Sequence, residues 1–255
     1  MENVQEHMTQ GEISEICPGL ILVRDFLSED EERELLQQLD SEGSWDERLS
    51  RRVQHYGYEF DYASRKAFSD HPMIPFPSAA QRALDKVAST VTAEAAGLNQ
   101  LTVNEYLPGQ GISAHIDTHS CFGDMMLSIS LGAGIVIRFL PASANLKSDR
   151  KLFLWLPPRS LLVMAGPSRF AFKHAIPLRK TDSVDGAIVK RERRVSLTFR
   201  SIRLPAVCRC EWSDACDSQD LELEPTRIPV RAPLAVTGHG AVSEGDDKSL
   251  SEPQH

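Results

Sequence analysis

Residues 104–120 read NEYLPGQGISAHIDTHS and set two histidines around one aspartate, as His115, Asp117 and His119. The Pro-Gly turn in the middle of this stretch separates one predicted strand from a second predicted strand over 112–117. Side chains two residues apart project from the same face of a strand, so we expect His115 and Asp117 to point the same way. His119 lies beyond the predicted end of that strand. The stretch therefore predicts a pair of metal ligands with a third candidate close by.

Short strand-like segments divided by turn residues make up the chain from Leu101 onward, and two helices are predicted before it. The first helix begins at Ser28, where Glu31 completes a capping-box signature; the second lies between Pro77 and Gly97. This order of elements predicts an α+β fold, a double-stranded β-helix (jelly roll) with the N-terminal helices packed outside. The predicted core strands cover residues 101–106, 112–117, 126–131, 134–140, 151–156, 160–165, 170–175 and 194–202.

The chain divides into a predicted core and flanking parts. Residues 1–18 are expected to be flexible, and residues 19–96 to form an extension before the core. The core, with a metal-binding segment at its C-terminal end, covers residues 97–220. Residues 221–255 are rich in Pro, Gly, Ser and charge, which predicts a disordered tail.

The composition is that of a globular protein, with 255 residues, 41% hydrophobic and 25% charged, which excludes wholesale disorder. The net charge is −8, and the acidic residues are concentrated at both ends of the chain. The body is therefore nearly neutral, and its non-specific attraction to nucleic-acid phosphates is expected to be weak. The sequence contains no apolar run of membrane-spanning length and no secretory signal, which predicts no membrane partner. The expected location is cytoplasmic, with the nucleus as an alternative, and the five cysteines are expected to be reduced.

A metal site needs a further ligand from elsewhere in the chain, because an H-x-D pair alone is a weak signal. His174 is the histidine that remains within a predicted strand, at the end of the segment RFAFKH. Two histidines and one carboxylate on one face of an octahedral ion leave three positions open, as in non-haem Fe(II) oxygenases. The alternative interpretation of His174 is a core histidine with a satisfied hydrogen bond.

The segment RRVSLTFRSIR, residues 193–203, alternates between polar and apolar side chains. Arg194, Ser196, Thr198 and Arg200 fall on one face of the predicted strand. The two arginines are about 20 Å apart along a strand, too far for both to hold one carboxylate. This spacing suits a small dianion between them, or one arginine on a cosubstrate and the other near a metal. Solvent-facing charge is the alternative.

The order N-x-Y, H-x-D, H and R-x5-R resembles the AlkB family of Fe(II)- and 2-oxoglutarate-dependent dioxygenases. Within this family the sequence is most similar to the branch that modifies wobble uridines in tRNA. The segments that carry this resemblance are VNEYLPGQGISAHIDTHSCF, LPPRSLLVMAGPSRF and CDSQ. The resemblance extends from about Gly19 to Gln219. It implies that the catalytic Fe(II) is bound by His115, Asp117 and His174.

The same resemblance implies which residues bind 2-oxoglutarate. Asn104 and Tyr106 are expected to contact it, Arg194 to pair with its distal carboxylate, and Arg200 to lie close to the metal-binding end. An amide and a phenol are both hydrogen-bond donors suited to a carboxylate. Without the resemblance, Asn104 and Tyr106 would be interpreted as part of a strand that leads into a turn.

Three cysteines cluster after the arginine strand in the pattern C-x-C-x5-C. Cys208, Cys210 and Cys216 are one ligand short of a structural tetrahedral zinc site. By resemblance His119 completes a Cys₃His set, so a structural Zn(II) is expected in addition to the Fe(II). Cys121 is the competing fourth ligand. The remaining alternative is a set of reduced cysteines that binds no metal.

The segment RRVQHYGYEFDY, residues 51–62, falls where the AlkB family has its nucleotide-recognition lid. Cationic and aromatic side chains in such a lid suit phosphates and a base that is splayed out of its strand. Ordinary protein surface is the alternative interpretation. The candidate substrate contacts are Arg51, Arg52, His55, Tyr56 and Tyr58.

The function that the resemblance implies is hydroxylation of 5-methoxycarbonylmethyluridine at the wobble position of tRNA, with tRNA as the partner. The alternatives are oxidative demethylation of N-alkylated bases in RNA or DNA, and a catalytically inactive module that binds RNA or protein. The animal member of this branch also carries an RNA-recognition domain and a methyltransferase domain, which we do not find in this sequence. A separate tRNA methyltransferase or a helper subunit is therefore expected.

Overall fold

The computed structural model describes residues 3–48, 50–61, 66–68, 73–147 and 149–218, with the main chain alone at residue 3 and over 59–61 and 66–68. The predicted disordered tail lies outside the described residues. Within them, no helix is both long enough and apolar enough to cross a membrane.

Strands dominate the described chain, and the helices are short. In chain order the strands are β1 (Asn3–Val4), β2 (Leu20–Val23), β3 (Val53–Gly57), β4 (Glu59–Asp61), β5 (Lys66–Phe68), β6 (Gln100–Tyr106), β7 (Ile112–His115), β8 (Phe122–Gly132), β9 (Ile135–Pro141), β10 (Leu152–Leu156), β11 (Leu161–Ala165), β12 (Phe172–Ile176), β13 (Thr181–Val184), β14 (Ala187–Lys190) and β15 (Arg194–Ile202). The helices are α1 (Gln10–Ile16), α2 (Glu29–Ser41), α3 (Ser78–Thr90) and α4 (Pro167–Phe170), with 3₁₀ turns at Ala93–Gly97 and Ser213–Ala215.

Two antiparallel sheets form the jelly roll that the sequence predicts, so the predicted fold class is confirmed. The larger sheet has six strands in the order β2-β11-β8-β15-β6-β3, and the smaller has four in the order β10-β9-β12-β7. Apolar side chains from both sheets share one buried cluster, which is the core of the sandwich. Its members include Met126 and Leu162 of the larger sheet and Phe139, Leu154 and Phe172 of the smaller one.

The arginine strand β15 lies inside the larger sheet, between β8 and β6. Its apolar side chains Val195, Leu197 and Phe199 are buried in a second cluster, together with side chains of α2 and α3. Because side chains alternate along a strand, its polar side chains lie on the opposite face, toward the interior of the sandwich. Arg194 is only 2% exposed. The strand is therefore two-faced as predicted, and solvent-facing charge is excluded for Arg194.

Helix α2 begins as the sequence predicts. The Ser28 hydroxyl accepts a hydrogen bond from the Glu31 main chain, and the Glu31 carboxylate accepts one from the Ser28 N–H. Leu35 and Leu39 are buried under the larger sheet. These contacts fix the helix over the outer face of the sheet and leave the interior to the polar face of β15.

Helix α3 ends at Thr90, although the sequence predicts a helix that continues to Gly97. Thr90, Val91 and Thr92 are consecutive β-branched residues, which lose side-chain freedom in a helix and favour its termination. The chain then continues as a 3₁₀ turn.

The predicted flexible N-terminus is wrong for residues 3–18. Strand β1 pairs with β13, and α1 has a complete capping box between Thr9 and Glu12. Ile13 and Cys17 are fully buried in the core of the sandwich. The T-x-x-E signature at Thr9 is the same kind of capping box that predicts α2 from Ser28. Read in the same way, it predicts α1.

The predicted extension, residues 19–96, contributes directly to the core. Strand β2 pairs with β11 and strand β3 pairs with β6, so these two strands form the edges of the larger sheet. The predicted boundary at residue 97 is therefore wrong, because the jelly roll already includes β2 and β3.

Two predicted strands in the core are shorter than expected. Strand β7 ends at His115 rather than at residue 117, so Asp117 lies in the following loop. Strand β12 begins at Phe172 rather than at residue 170, because Gly166, at φ +52°, turns the chain into the single helical turn α4. The hairpin β13–β14 was not predicted, although its Asp185-Gly186 turn, with both residues at positive φ, is a strong hairpin signal.

Truncation of Ile13 tests whether α1 belongs to the folded core. Ile13→Ala is expected to lower the free energy of unfolding by about 2–5 kcal/mol, because it leaves a cavity in the core cluster. Glu15→Ala on the exposed face of the same helix removes only a surface ion pair with Arg150, with an expected effect of about 0–1 kcal/mol. Urea denaturation of both variants measures the difference; equal midpoints would contradict the packing of α1.

Candidate active site

Strand pairing brings together the three side chains that the sequence predicts as a metal-binding set. His174 on β12 is the direct antiparallel partner of His115 on β7, and the centroids of their rings are 4.3 Å apart. Asp117 follows in the loop, with its Oδ1 atom 3.5 Å from His115 Nε2. One candidate ligand atom from each of the three residues lies within 4.8 Å of the others. The geometry suits a single divalent ion bound by two imidazoles and one carboxylate.

The protonation states of Asp117 and His174 suit metal binding. Burial raises the pKa of Asp117, but the Arg200 guanidinium and the two histidines outweigh it and hold the pKa well below its ordinary value. Arg200 Nε donates to Asp117 Oδ2 at 2.8 Å. Burial lowers the pKa of His174 to about 3, which keeps that imidazole neutral. The site therefore presents an ionised carboxylate and a neutral imidazole, the forms that bind metals.

Main-chain contacts orient the His115 ring. His115 Nδ1 lies 2.8 Å from the carbonyl oxygen of Ser113. A carbonyl oxygen only accepts, so Nδ1 carries the proton and Nε2 is left toward Asp117. This support of the second ring nitrogen is usual for metal-binding histidines.

A cleft of about 460 Å³ opens over the set. Asn104 and Thr102 of β6, Arg200 of β15 and Arg51 before β3 line it, together with the H-x-D loop. A smaller cavity of about 60 Å³ lies deeper between the sheets and shares Asn104 and Arg200 with the cleft. The site therefore has a larger outer chamber and a smaller inner chamber that meet at Asn104 and Arg200.

Arg194 is the dominant charge of the inner cavity. Its Nη2 donates to Ser130 Oγ at 2.8 Å, and its guanidinium lies over the Tyr106 ring at 5.4 Å. Its Nε and Nη1 atoms are buried and have no hydrogen-bond partner among the described residues. Burial lowers the pKa of Arg194 to about 10, so it is charged at neutral pH. Unpaired buried donors on a cation are costly, and a carboxylate of 2-oxoglutarate would satisfy them.

Asn104 lines both chambers, and Tyr106 lines the inner one. The Asn104 Oδ1 atom accepts a hydrogen bond from Arg51 Nε at 3.0 Å. This contact orients the amide so that its NH₂ group is the free donor on that side chain. An amide donor and a buried arginine thus flank the space predicted for 2-oxoglutarate.

A second cluster lies immediately beyond the first in the chain. His119, Cys208, Cys210 and Cys216 each have a candidate ligand atom within 4.8 Å of the others. His119 Nδ1 is 3.5 Å from Cys210 Sγ, and burial lowers the pKa of His119 to about 4, so its imidazole is neutral. Cys121 is buried but does not belong to the cluster. The donor set suits a tetrahedral Zn(II).

The predicted lid residues have different positions. Arg51 lines the cleft. Arg52 instead forms two hydrogen bonds with Glu105, at 2.7 and 2.8 Å, and Tyr56 donates to Gln54. His55 contacts Thr102 from β3. Tyr58 directly follows β3, and none of these last four lines either chamber as described. Substrate contact by Arg52, His55, Tyr56 and Tyr58 stays a prediction.

Sequence reasoning missed two polar residues of the site, Ser130 and Asp217. Ser128 and Ser130 alternate along β8 in the segment MLSISLG, and this polar face next to the polar face of β15 was the available signal. The Asp217 carboxylate accepts hydrogen bonds from the main-chain N–H groups of His119 and Ser120. A contact between two loops leaves no periodic pattern in the sequence, so it could not be predicted.

Comparison with known proteins identifies the class. Residues 19–200 match the family model of the 2OG-Fe(II) oxygenase superfamily. The chain therefore belongs to that superfamily and is a 2-oxoglutarate-dependent Fe(II) dioxygenase. The matched residues include the described lining of the inner chamber and the set formed by His115, Asp117 and His174.

Curated relatives identify the branch as the AlkB family, among the ALKBH8 homologues, as the resemblance predicts. The "Alkylated DNA repair protein ALKBH8 homolog" of Arabidopsis thaliana is 38% identical over 220 residues, which are 79% of this chain and 63% of the relative. The "tRNA (carboxymethyluridine(34)-5-O)-methyltransferase alkbh8" of Xenopus tropicalis is 39% identical over 236 residues, 81% of this chain and 35% of the relative. The chain thus spans less than two thirds of these relatives' length.

Solved structures agree on the fold. The structure of OsALKBH1 superposes with a TM-score of 0.52 at 19% identity and covers 72% of this chain and 96% of that chain. An oxidoreductase of the 2OG-Fe(II) oxygenase family from Burkholderia pseudomallei gives 0.51 at 11% identity, with 78% and 94% covered. At these identities the likeness concerns the fold alone.

Proposed function

We propose that this dioxygenase hydroxylates 5-methoxycarbonylmethyluridine at the wobble position of tRNA. The observation that carries the proposal is 39% identity over 81% of the chain to a Xenopus tropicalis relative that is named as a methyltransferase of carboxymethyluridine 34 in tRNA, the nucleotide to which the proposal assigns the oxidation. A relative from Mus musculus with the same activity in its name is 37% identical over 79% of the chain. The wobble-uridine side chain is small enough for the outer chamber.

We assign the Fe(II) to His115, Asp117 and His174. Fe(II) bound there supplies the activation of O₂, with electrons from the decarboxylation of 2-oxoglutarate. Arg200 holds the Asp117 carboxylate in place and ionised. The Ser113 carbonyl fixes the tautomer of His115. The protein thus holds its ligands ready before the metal binds.

We assign 2-oxoglutarate to the inner chamber. Arg194 takes its distal carboxylate there, because the Nε and Nη1 donors of its guanidinium are buried and unpaired, and a carboxylate accepts strongly from a cationic donor. Tyr106 packs under the same guanidinium, and Asn104 offers its amide donor at the passage between the chambers.

We assign a structural Zn(II) to His119, Cys208, Cys210 and Cys216. Such a site would hold the segment after β15 against the H-x-D loop. Ser218 supports the cysteines, because its hydroxyl accepts from the Cys208 N–H and donates to the Cys208 carbonyl oxygen, both at 2.9 Å. Structural zinc contributes directly to folding free energy.

Oxidative demethylation of N-alkylated bases is a second candidate, because the same iron chemistry serves both reactions. A relative from Caenorhabditis elegans named as a DNA N6-methyl adenine demethylase is 28% identical over 77% of this chain. The Cys/His cluster favours the tRNA reaction, because this ligand set is part of the resemblance to the wobble-uridine branch. tRNA is the proposed partner, and a separate tRNA methyltransferase or helper subunit is proposed to act with this chain.

Purified protein with Fe(II), 2-oxoglutarate and tRNA that carries 5-methoxycarbonylmethyluridine is expected to yield the hydroxylated nucleoside by mass spectrometry of the digest. Asp117→Asn is expected to abolish the product and the accompanying succinate, because one iron ligand is lost. Asp124→Asn, which removes an exposed partner of Arg203, is the matched control and should retain activity. Formaldehyde release from an N-methylated oligonucleotide, with unchanged wobble uridine, would favour the demethylase instead.

Substitution of Arg194 tests the cosubstrate site. Arg194→Met is expected to raise the Kd for 2-oxoglutarate at least about thirtyfold, since loss of a buried charge partner costs about 2–5 kcal/mol. Arg193→Met removes the neighbouring arginine, which pairs with Asp40 and Glu105 away from the chambers, and should leave this Kd unchanged. Calorimetric titration measures both, and equal affinities would contradict the assignment.

Zinc binding is tested by a pair of cysteine variants. Cys210→Ser is expected to lose zinc and lower the melting temperature, because a thiolate ligand is removed. Cys121→Ser is expected to keep zinc, since Cys121 lies outside the cluster. Elemental analysis and thermal denaturation distinguish the two; loss of zinc from both variants would make Cys121 the fourth ligand in place of His119.

A further inference from the structure

Arg169 on α4 is the largest fully buried side chain among the described residues. Burial lowers its pKa to about 10, so it is still charged at neutral pH. Within the described part of the chain it forms no ion pair with a carboxylate. A buried charge without a counterion needs full hydrogen bonding, so its partners identify what it holds.

Every side-chain hydrogen bond of Arg169 goes to a main-chain carbonyl of one segment, residues 117–123, the loop after β7 with the first two residues of β8, which we name the bridging loop. The acceptors and their distances are Asp117 (2.8 Å), Thr118 (3.1 Å), Phe122 (3.4 Å) and Gly123 (3.2 Å). The planar guanidinium presents its donors in a fixed fork. One conformation of the bridging loop therefore satisfies this buried cation.

The bridging loop carries one residue of each proposed metal set. Asp117 belongs to the iron set and His119 to the zinc set, with Thr118 between them. The ring of Phe170, next to Arg169 in the chain, packs edge-on against the His119 ring at 5.0 Å between centroids. The Arg169 guanidinium lies over the same Phe170 ring at 4.8 Å. A shift of the loop at one set therefore moves the other.

The segment that carries the three cysteines, residues 208–217, binds the main-chain N–H groups of the bridging loop. The Asp217 carboxylate accepts from the N–H groups of His119 and Ser120, at 2.8 and 3.1 Å, and from the Ser120 hydroxyl. Asp217 directly follows Cys216 of the zinc set. The Arg169 guanidinium thus donates to the carbonyl groups of the bridging loop, and the Asp217 carboxylate accepts from its N–H groups. Charge-assisted hydrogen bonds on both sides are stronger than neutral ones.

We propose that Arg169 is a positioning residue that couples the two metal sites, so that zinc in the Cys/His set increases the affinity of the His/Asp/His set for its divalent ion. The inference rests on the proposed assignment of both metals. Zinc fixes His119 and, through Asp217, the loop conformation that Arg169 also requires. Asp117 is then already held in its binding position before its ion arrives. By linkage, an ion in the iron set must increase the affinity for zinc by the same factor.

Mn(II) is a suitable probe for the iron set, because carboxylate and imidazole ligands accept it while thiolates select zinc. Its binding is followed by electron paramagnetic resonance of the free ion, with no turnover required. In the wild-type chain, zinc-loaded protein is expected to bind Mn(II) about tenfold more tightly than chelator-treated protein. Bound Mn(II) is expected to slow zinc release to a chelator.

The coupling is measured as the Mn(II) affinity of zinc-loaded protein divided by that of chelator-treated protein. Arg169→Lys is expected to bring this ratio close to one, because an ammonium cannot reproduce the fork that reaches four carbonyls. Arg191→Lys is the matched control, since Arg191 is equally buried but pairs with Asp182 away from both sets. Asp217→Asn removes the opposing charge at an exposed position and should also lower the ratio. Its control is Asp214→Asn in the same segment, which contacts Ser143 and Ala144 instead.

The outcomes separate the coupling from the metal assignments. If both ions bind in the wild type with a ratio of one, the coupling is overturned and the proposed function stands. A wild-type ratio in folded Arg169→Lys would overturn the role of Arg169. Failure of the wild type to bind Mn(II) at all would overturn the iron assignment and the coupling together.

Discussion

The antiparallel pairing of β12 with β7 is the constraint on which the site depends. Its register sets His174 directly opposite His115, and the two imidazoles then share one face of the smaller sheet. A slip of one residue would turn His174 to the other face of its strand and dissolve the cluster. Strand β7 is at the edge of its sheet, so the loop that follows it is free to turn back with Asp117. Two strand-borne imidazoles and one loop-borne carboxylate are the result.

Charge inside the sandwich follows a consistent logic. Asp117 and Arg200 neutralise each other, and the Arg169 guanidinium is satisfied by main-chain carbonyls. Arg194 differs, because two of its donors have no partner in the described chain. A folded protein tolerates such an unsatisfied group where a ligand completes it. The incomplete hydrogen bonding of Arg194 therefore supports the inner chamber as the proposed site of the cosubstrate.

The sequence predicted those features that local signals encode. The alternation along β15 and the capping box at Ser28 are properties of neighbouring residues, and both are present in the structure. The family was also predicted correctly. Strand register is not local, so the pairing of β3 with β6, which leaves Arg51 beside the cleft, could not be read from composition. The loop position of Asp117 and the burial of Arg169 depend on how separate segments pack, and no periodicity reports that.

The edges of the larger sheet have a consequence for how the chain folds. Strand β2 pairs with β11, which lies about 140 residues further along the chain, so β2 acquires its partner only after much of the jelly roll has been synthesised. Pairings between distant segments slow folding, because the entropy of closing long loops is lost before contacts compensate for it. Until then the apolar strand LILV has an unpaired edge that invites association with other chains. Productive folding of this oxygenase in the cell therefore favours conditions that shield its early strands.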